Sequence, residues 1–143
     1  MNNFFQLGNF MQRLLSLLIL LVVNHTYAAN WMILGETDEH RIELDLESIK
    51  KISSSPYGSD KSITQFWIKK TIINDLTKDG LGMGDYALNL FHINCSNDTL
   101  GLKSGIKYKN NKVLDSYTES YVKMQPIVPE TVGYSYYTVV CSQ

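Results

Sequence analysis

The 143-residue sequence carries almost no net charge, because 13 Lys and Arg residues face 14 Asp and Glu residues and the formal charge is −1 at pH 7. This balance gives no electrostatic reason to expect a nucleic acid or an anionic membrane as a partner, since both select strongly basic surfaces. The length suffices for one modest hydrophobic core and is too short for two domains.

An export signal dominates the N-terminal part of the sequence. Residues 14–23 read LLSLLILLVV, an apolar run that directly follows Arg13 and is closed by the polar residues 24–26. The run has about half of the roughly 20 apolar residues that a membrane-spanning helix needs, so it fits a cleavable signal peptide better than an anchor. We therefore predict a signal peptide over residues 1–28 and an exported chain, located in the periplasm, at the cell surface or outside the cell.

The cleavage site is predicted from the small side chains that signal peptidases favour. A cut between Ala28 and Ala29 is preferred, because a cut after Ala29 would place bulky Tyr27 three residues before it. Met11 is an alternative start, since the sequence from this residue already forms a complete signal. No cysteine lies near the cleavage site, so we expect no lipid anchor, and residues 29–143 are predicted to form a single domain.

Two cysteines, Cys95 and Cys141, remain after cleavage. An even pair in an exported chain indicates a disulfide more strongly than a metal or redox site. The alternative is a pair of free buried thiols, which an oxidising compartment disfavours.

Residues 31–95 read mostly as strands. A short apolar strand over 31–34 precedes a strand over 41–45 that alternates polar and apolar residues. A capped turn follows at Asp45–Ile49, and then a serine- and glycine-containing loop over 53–60. The sequence next predicts a long central strand over 61–73, a glycine-rich loop over 74–84 and a strand over 85–95.

Three consecutive strands, beginning with the strand over 85–95, are predicted to form an antiparallel meander. Residues 96–98 make a tight reversal, and Asn110-Asn111 turn the chain into a hairpin partner over 112–119. The strand between these turns is the clearest amphipathic strand in the sequence. Its two faces are Leu100, Leu102, Ile106 and Tyr108 on one side and Gly101, Lys103, Gly105 and Lys107 on the other.

The C-terminal segment fits two structures equally well on propensity. Pro129-Glu130 is a plausible helix opening, whereas three valines and three tyrosines favour a final strand. If the segment is a helix, the packed arc is predicted to contain Gly133, Tyr134, Tyr137, Val140 and Cys141. Tyr136 lies outside that arc, and we therefore expect it to be exposed.

We predict no catalytic residue, metal ligand or cofactor. His40 and His92 lack the spacing of known metal motifs and are interpreted as ordinary strand residues. Glu43 and Asp45 share a strand face at a spacing that could serve general acid and base catalysis, but a solvated face and a turn cap explain them better. The glycines of loop 74–84 are not followed by a phosphate-binding motif.

The ordered landmarks of the chain resemble the surface-adhesin protein E family of Gram-negative bacteria. They are Trp31, Asp45-x-x-Ser48-Ile49, Trp67, Asn94-Cys95, Pro126-x-x-Pro129-Glu130-Thr131-x-Gly133 and Cys141. The resemblance implies an α+β fold, with an antiparallel sheet of about six strands. It also implies a C-terminal helix that packs on the concave face of the sheet and is tethered there by a Cys95–Cys141 disulfide.

The same resemblance implies a non-enzymatic binding function. The namesake of the family is an adhesin that binds vitronectin, laminin and plasminogen and can form a dimer, so we expect a protein ligand and consider a homodimer possible. Its binding segment corresponds here to residues 86–104. The candidate binding residues are Tyr86, Asn89, Phe91, Asn94, Ser96, Asn97, Leu100 and Lys103.

A second hypothesis is a periplasmic accessory or structural protein with a bacterial partner. The namesake has a lipid anchor and a strongly basic segment before its Asn-Cys pair. Residues 84–90 of this chain contain no Lys or Arg, and no cysteine lies near the predicted cleavage site. Both differences favour a location inside the cell envelope.

Overall fold

A computed structural model describes residues 29–52 and 63–143. The predicted signal peptide and the predicted loop 53–60 lie outside this part of the chain. The described strands are β1 (Trp31–Glu36), β2 (His40–Asp45), β3 (Lys50–Lys51), β4 (Ile63–Ile72), β5 (Tyr86–Asn94), β6 (Thr99–Lys109), β7 (Lys112–Thr118) and β8 (Gln125–Pro126). A single 3-10 turn spans Leu46–Ser48, and one helix, α1, spans Val132–Val140.

All eight strands belong to one antiparallel sheet. Its main order is β1-β2-β4-β5-β6-β7, and with two short strands the sheet has eight strands in the described residues, where the family resemblance implied about six. The two short strands extend this sheet, because β3 pairs with β4 and β8 pairs with β6. The predicted meander is confirmed by the direct pairing of β5 with β6 and of β6 with β7, and β4 pairs with β5 beside it.

The turn after β2 forms as predicted. The Asp45 carboxylate accepts hydrogen bonds from the backbone N–H groups of Glu47 and Asn30, each at 3.2 Å. The Ser48 hydroxyl donates to the Asp45 carbonyl at 2.6 Å and accepts from the backbone N–H of Trp67 at 2.8 Å. The turn therefore fastens the end of β2 to β4, and Ile49 packs against the core.

The predicted alternation of β6 is broken by a β-bulge. Phe91 pairs with Leu102 and Leu90 pairs with Ser104, so Lys103 is an extra residue on the β6 side. Because directly paired residues share a face of the sheet, Leu100 and Leu102 lie with Ile93 and Phe91 on one face. Ile106 and Tyr108 pair with Leu88 and Tyr86 on the opposite face. The prediction that these four β6 residues share one face was wrong.

Helix α1 packs on one face of the sheet, which we call the helix face. The buried cluster on this face contains Ile42 and Leu44 of β2, Phe66 and Ile68 of β4, Ile93 of β5, and Tyr136 and Val140 of α1. The helix alternative for the C-terminal segment is thus confirmed, and the strand alternative was wrong. That the helix face is concave stays a prediction.

The predicted orientation of the helix needs correction. Tyr136 is only 4% exposed, whereas Tyr134, which was expected to be packed, is 42% exposed. The helix also begins later than expected, because Glu130 has a left-handed φ of 60° and Thr131 is the N-cap, accepting from the N–H of Tyr134. The packed arc is therefore rotated toward Tyr136 and Val140.

The predicted disulfide is confirmed. Cys95 directly follows β5 and Cys141 is the C-cap residue of α1, and their Cα atoms lie 5.6 Å apart. The bridge ties the C-terminal end of the helix to the C-terminal end of β5.

Candidate binding surface

The candidate binding segment 86–104 covers β5, the reversal after it and the first half of β6. Three of its eight candidate residues are directed inward. The Phe91 ring lies 5.9 Å from that of Phe66 and 5.4 Å from that of Tyr136 between centroids, and Leu100 packs against the same core. Asn94 is 3% exposed. These three side chains therefore support the fold.

Asn94 shapes the reversal that carries two other candidates. Its side-chain oxygen accepts hydrogen bonds from the backbone N–H groups of Ser96 at 3.0 Å and Asn97 at 3.2 Å. Asp98 adopts a left-handed φ of 49°, as a tight reversal requires. Ser96 and Asn97 are consequently exposed at the end of the sheet that holds the disulfide.

The remaining three candidates lie in separate places. Tyr86 stacks on Tyr108 with ring centroids 4.6 Å apart. Asn89 pairs with Ile68 and Gly105 on the helix face. Lys103, in the bulge, donates to the backbone carbonyl of Glu119. The eight candidates therefore do not form one continuous surface.

A larger surface, which the sequence analysis missed, occupies the opposite side of the sheet, and we call it the open face. Its residues, assigned from the strand register, are Trp31, Trp67, Lys69, Tyr86, Leu88, Leu90, Ile106 and Tyr108. All eight side chains are partly exposed. The helix of the described part packs on the other side of the sheet, so this face presents aromatic and aliphatic groups from four strands, β1, β4, β5 and β6.

Lys69 organises one side of the open face. Its Nζ atom lies 5.8 Å from the centroid of the Trp31 ring and 5.3 Å from that of Tyr86, distances at which a cation is attracted to an aromatic ring. The same atom lies 3.7 Å from a carboxylate oxygen of Glu43. These contacts neutralise the ammonium group and leave a mainly apolar surface around it.

Residues 119–124 cross one end of the open face. Val122 is fully buried there, and a Cβ atom added to Gly101 would lie 2.4 Å from a Val122 methyl group. His92 pairs with Gly101 and is 3% exposed. Burial, reinforced by the charge of Lys103, lowers the pKa of His92, so the imidazole is held neutral in the fold.

The residues considered for catalysis have structural partners. Glu43 contacts Lys69 and accepts from the Thr71 hydroxyl at 3.5 Å, while Asp45 caps the turn after β2. The part of the chain that the structure describes contains no group of three His, Cys, Asp or Glu side chains arranged to hold a metal ion.

At the other end of the sheet, two carboxylates fasten the glycine-rich loop. Glu39 accepts from the N–H of Leu76 at 3.2 Å and from the N–H and hydroxyl of Thr77 at 2.8 Å each. Asp85 is 7% exposed and accepts from the N–H groups of Gly82 and Asn110, both at 2.8 Å. The loop is therefore joined both to the β1–β2 turn and to the β6–β7 turn.

Acid should weaken the attachment made by Asp85. The N–H groups of Asn110 and then Gly82 lower the pKa of this carboxyl. Its stabilising effect is therefore complete above the pKa of an unfolded Asp, about 3.9, and is lost as the pH falls toward the lower folded value. We expect Asp85→Asn to be less stable than the natural protein at pH 7, with the difference shrinking below about pH 4.

Urea unfolding between pH 7 and pH 2.5 measures this difference. Asp115→Asn is the control, because it removes the same charge from the exposed strand β7. If the stability difference for Asp85→Asn stays constant down to the lowest pH, the Asp85 carboxylate does not stabilise the fold in its charged form as argued.

The chain matches a known protein family over most of its length. The family model for surface-adhesin protein E matches residues 31–142. The solved structure of Haemophilus influenzae protein E is similar, with 14% sequence identity, a TM-score of 0.46, and coverage of 79% of this chain and 94% of that chain. No curated protein matches the chain. In the described residues, no helix has the length and apolar character needed to cross a membrane.

Proposed function

Because the chain belongs to the surface-adhesin protein E family, we propose that it is an exported, non-enzymatic module that binds a protein ligand through its sheet surface. Export would be directed by the predicted signal peptide over residues 1–28. The candidate ligands are host matrix and plasma proteins such as vitronectin, laminin or plasminogen, and a homodimer is a further possible assembly.

The open face is the observation that carries this proposal. Tryptophan and tyrosine are enriched at the centres of protein interfaces, where a flat apolar area loses water on binding. The open face offers Trp31, Trp67, Tyr86 and Tyr108 beside three aliphatic side chains. Apolar and aromatic side chains gathered on a sheet face away from the helix mark an interaction surface more often than a solvated one.

Tyr86 links this surface to the candidate segment 86–104, since it belongs to both. The exposed pair Ser96 and Asn97 lies at the far end of the same segment. We therefore place the main contact on the open face and treat the reversal as a secondary contact.

Surface plasmon resonance with the processed, oxidised protein tests the proposal on immobilised vitronectin, laminin and plasminogen. Leu88→Glu places a charge in the middle of the open face and should abolish saturable binding. Leu114→Glu is the matched control, because it adds the same charge at a 57% exposed leucine on β7. Tyr86→Ala, which adds no charge, should also weaken binding, and both open-face variants must retain cooperative thermal unfolding.

Two results would remove the proposal. Failure of the natural protein to bind any of the three ligands saturably would exclude the matrix-adhesin assignment. Equal binding by Leu88→Glu and Leu114→Glu would exclude the open face as the contact surface.

A periplasmic accessory protein is the second candidate. It is favoured by residues 84–90, which contain no Lys or Arg where the namesake of the family is strongly basic. Protease treatment of intact cells distinguishes the two, because a periplasmic chain is protected by the outer membrane and a displayed chain is digested.

A further inference from the structure

A small cavity of about 210 Å³ lies on the helix face, between the sheet and the glycine-rich loop. Its floor is formed by Ala87 and Asn89 of β5, and its walls include Lys70 of β4 and Lys107 of β6. The other lining residues are His40, Ile72, Asp79, Leu81 and Tyr86. The volume equals that of ~7 water molecules at about 30 Å³ each, so the cavity suits a single small chemical group.

The strand register places the two lysines on either side of Ala87, whose side chain is a single methyl group. Lys70 pairs with Ala87, and Ala87 pairs in turn with Lys107. Neighbouring strands are about 4.8 Å apart, so the two lysine Cα atoms are separated by about 10 Å across the short alanine side chain. Both long side chains can therefore direct their ammonium groups over the same floor.

Neither ammonium group is neutralised within the described residues. The ion pairs of this region involve other lysines, since Lys69 contacts Glu43 at 3.7 Å and Lys78 contacts Asp75 at 3.0 Å. No carboxylate oxygen of the described chain lies within 4.0 Å of Lys70 Nζ or Lys107 Nζ. Lys70 is partly exposed and Lys107 is exposed, so both ammonium groups can be reached by an anion from solvent, and such an anion is attracted to both charges.

The acidic residues near the cavity do not form ion pairs with the two lysines. The Asp79 carboxylate accepts the backbone N–H of Leu81 at 3.1 Å and so supports the loop. Asp115 pairs with Lys107 in the strand register but is exposed on β7 and forms no ion pair with it. The Asn89 side chain adds an amide N–H₂ donor at the floor.

We propose that this cavity binds one tetrahedral oxyanion, a sulfate or phosphate group, held by charge-assisted hydrogen bonds from Lys70 and Lys107 and by the Asn89 amide. Charge-assisted bonds to an anion are stronger than neutral ones, and lysine is a common ligand for such groups. Lys70, Lys107 and Asn89 lie on the helix face, opposite a protein ligand on the open face, and Tyr86 lines the cavity while also belonging to the open face. The anion would be a substituent of a larger molecule, such as a sulfated sugar or a phosphorylated headgroup.

Nuclear magnetic resonance titration of the ¹⁵N-labelled, processed and oxidised protein tests this site. Sodium sulfate and sodium phosphate are added at constant ionic strength, with sodium acetate as a comparison. Saturable shifts are expected at the backbone amides of Ala87, Asn89 and Lys107 with sulfate or phosphate. Glucosamine 6-sulfate and glycerol phosphate then distinguish the two sources, because the natural group should bind more tightly than its free ion.

Charge-removing variants give the decisive comparison. Lys70→Met and Lys107→Met should each raise the Kd about tenfold or more, because each removes one charge-assisted bond. Lys112→Met removes the same charge from an exposed position on β7 and should change the Kd by less than about twofold.

Three outcomes would overturn the site. They are shifts that stay linear with anion concentration, a Lys112→Met effect equal to that of Lys70→Met, and acetate binding as tight as sulfate and phosphate binding.

Discussion

Removal of the Cys95–Cys141 disulfide by the double variant Cys95→Ala/Cys141→Ala is expected to lower the free energy of unfolding by about 4 kcal/mol. The cysteines are 46 positions apart, and a cross-link over a loop of this length restricts the unfolded chain by about that amount. Small domains are stable by only about 5 to 15 kcal/mol in total, so the loss is a large share of the stability.

Urea unfolding with and without reductant measures the contribution of the bridge. Reductant should lower the unfolding midpoint of the natural protein to that of the double variant and leave the variant unchanged. The variant thus controls for any effect of reductant apart from the bridge. If the oxidised and reduced natural proteins unfold at the same midpoint, the bridge does not stabilise the fold as argued.

The disulfide could be predicted from the sequence. An even cysteine pair behind an export signal predicts a bridge without any knowledge of the sheet. The capped turn at Asp45 and the hairpin at Asn110-Asn111 were likewise predictable, because the residues that form each turn are neighbours in the sequence.

The bulge at Lys103 could not be found in the same way. Leu100, Leu102, Ile106 and Tyr108 all occupy even-numbered positions, as residues on one face of a regular strand do. The bulge between Leu102 and Ser104 arises because these residues pair with the consecutive residues Phe91 and Leu90 of β5. Alternation within one strand therefore predicts that a strand exists, but the partner strand determines which face each residue occupies.

The open face and the loop attachments were missed for a related reason. β4 and β5 carry apolar residues on both faces, so the sequence does not say which face the helix covers. Glu39 holds Thr77 across 38 positions, and Asp85 holds Asn110 across 25. In the sequence, neither carboxylate can be distinguished from a solvated one, because the N–H groups that bind it are far away along the chain.

The orientation of α1 leads to the second large prediction. Tyr136→Ala should lower the free energy of unfolding by about 3 to 5 kcal/mol, the usual cost of deleting a buried aromatic ring. The Tyr136 ring lies 5.8 Å from that of Phe66 and 5.4 Å from that of Phe91, and burial raises the pKa of its hydroxyl. Urea unfolding of the oxidised protein at neutral pH measures the loss.

Tyr134→Ala is the control, because it makes the same chemical change two residues earlier in the same helix. The gain in intrinsic helix propensity is equal for the two variants, so it cancels when they are compared. Tyr134 is 42% exposed, and its truncation should cost less than about 1 kcal/mol. The difference between the variants therefore isolates burial. A larger loss for Tyr134→Ala would restore the packed arc predicted from sequence and contradict the one that buries Tyr136.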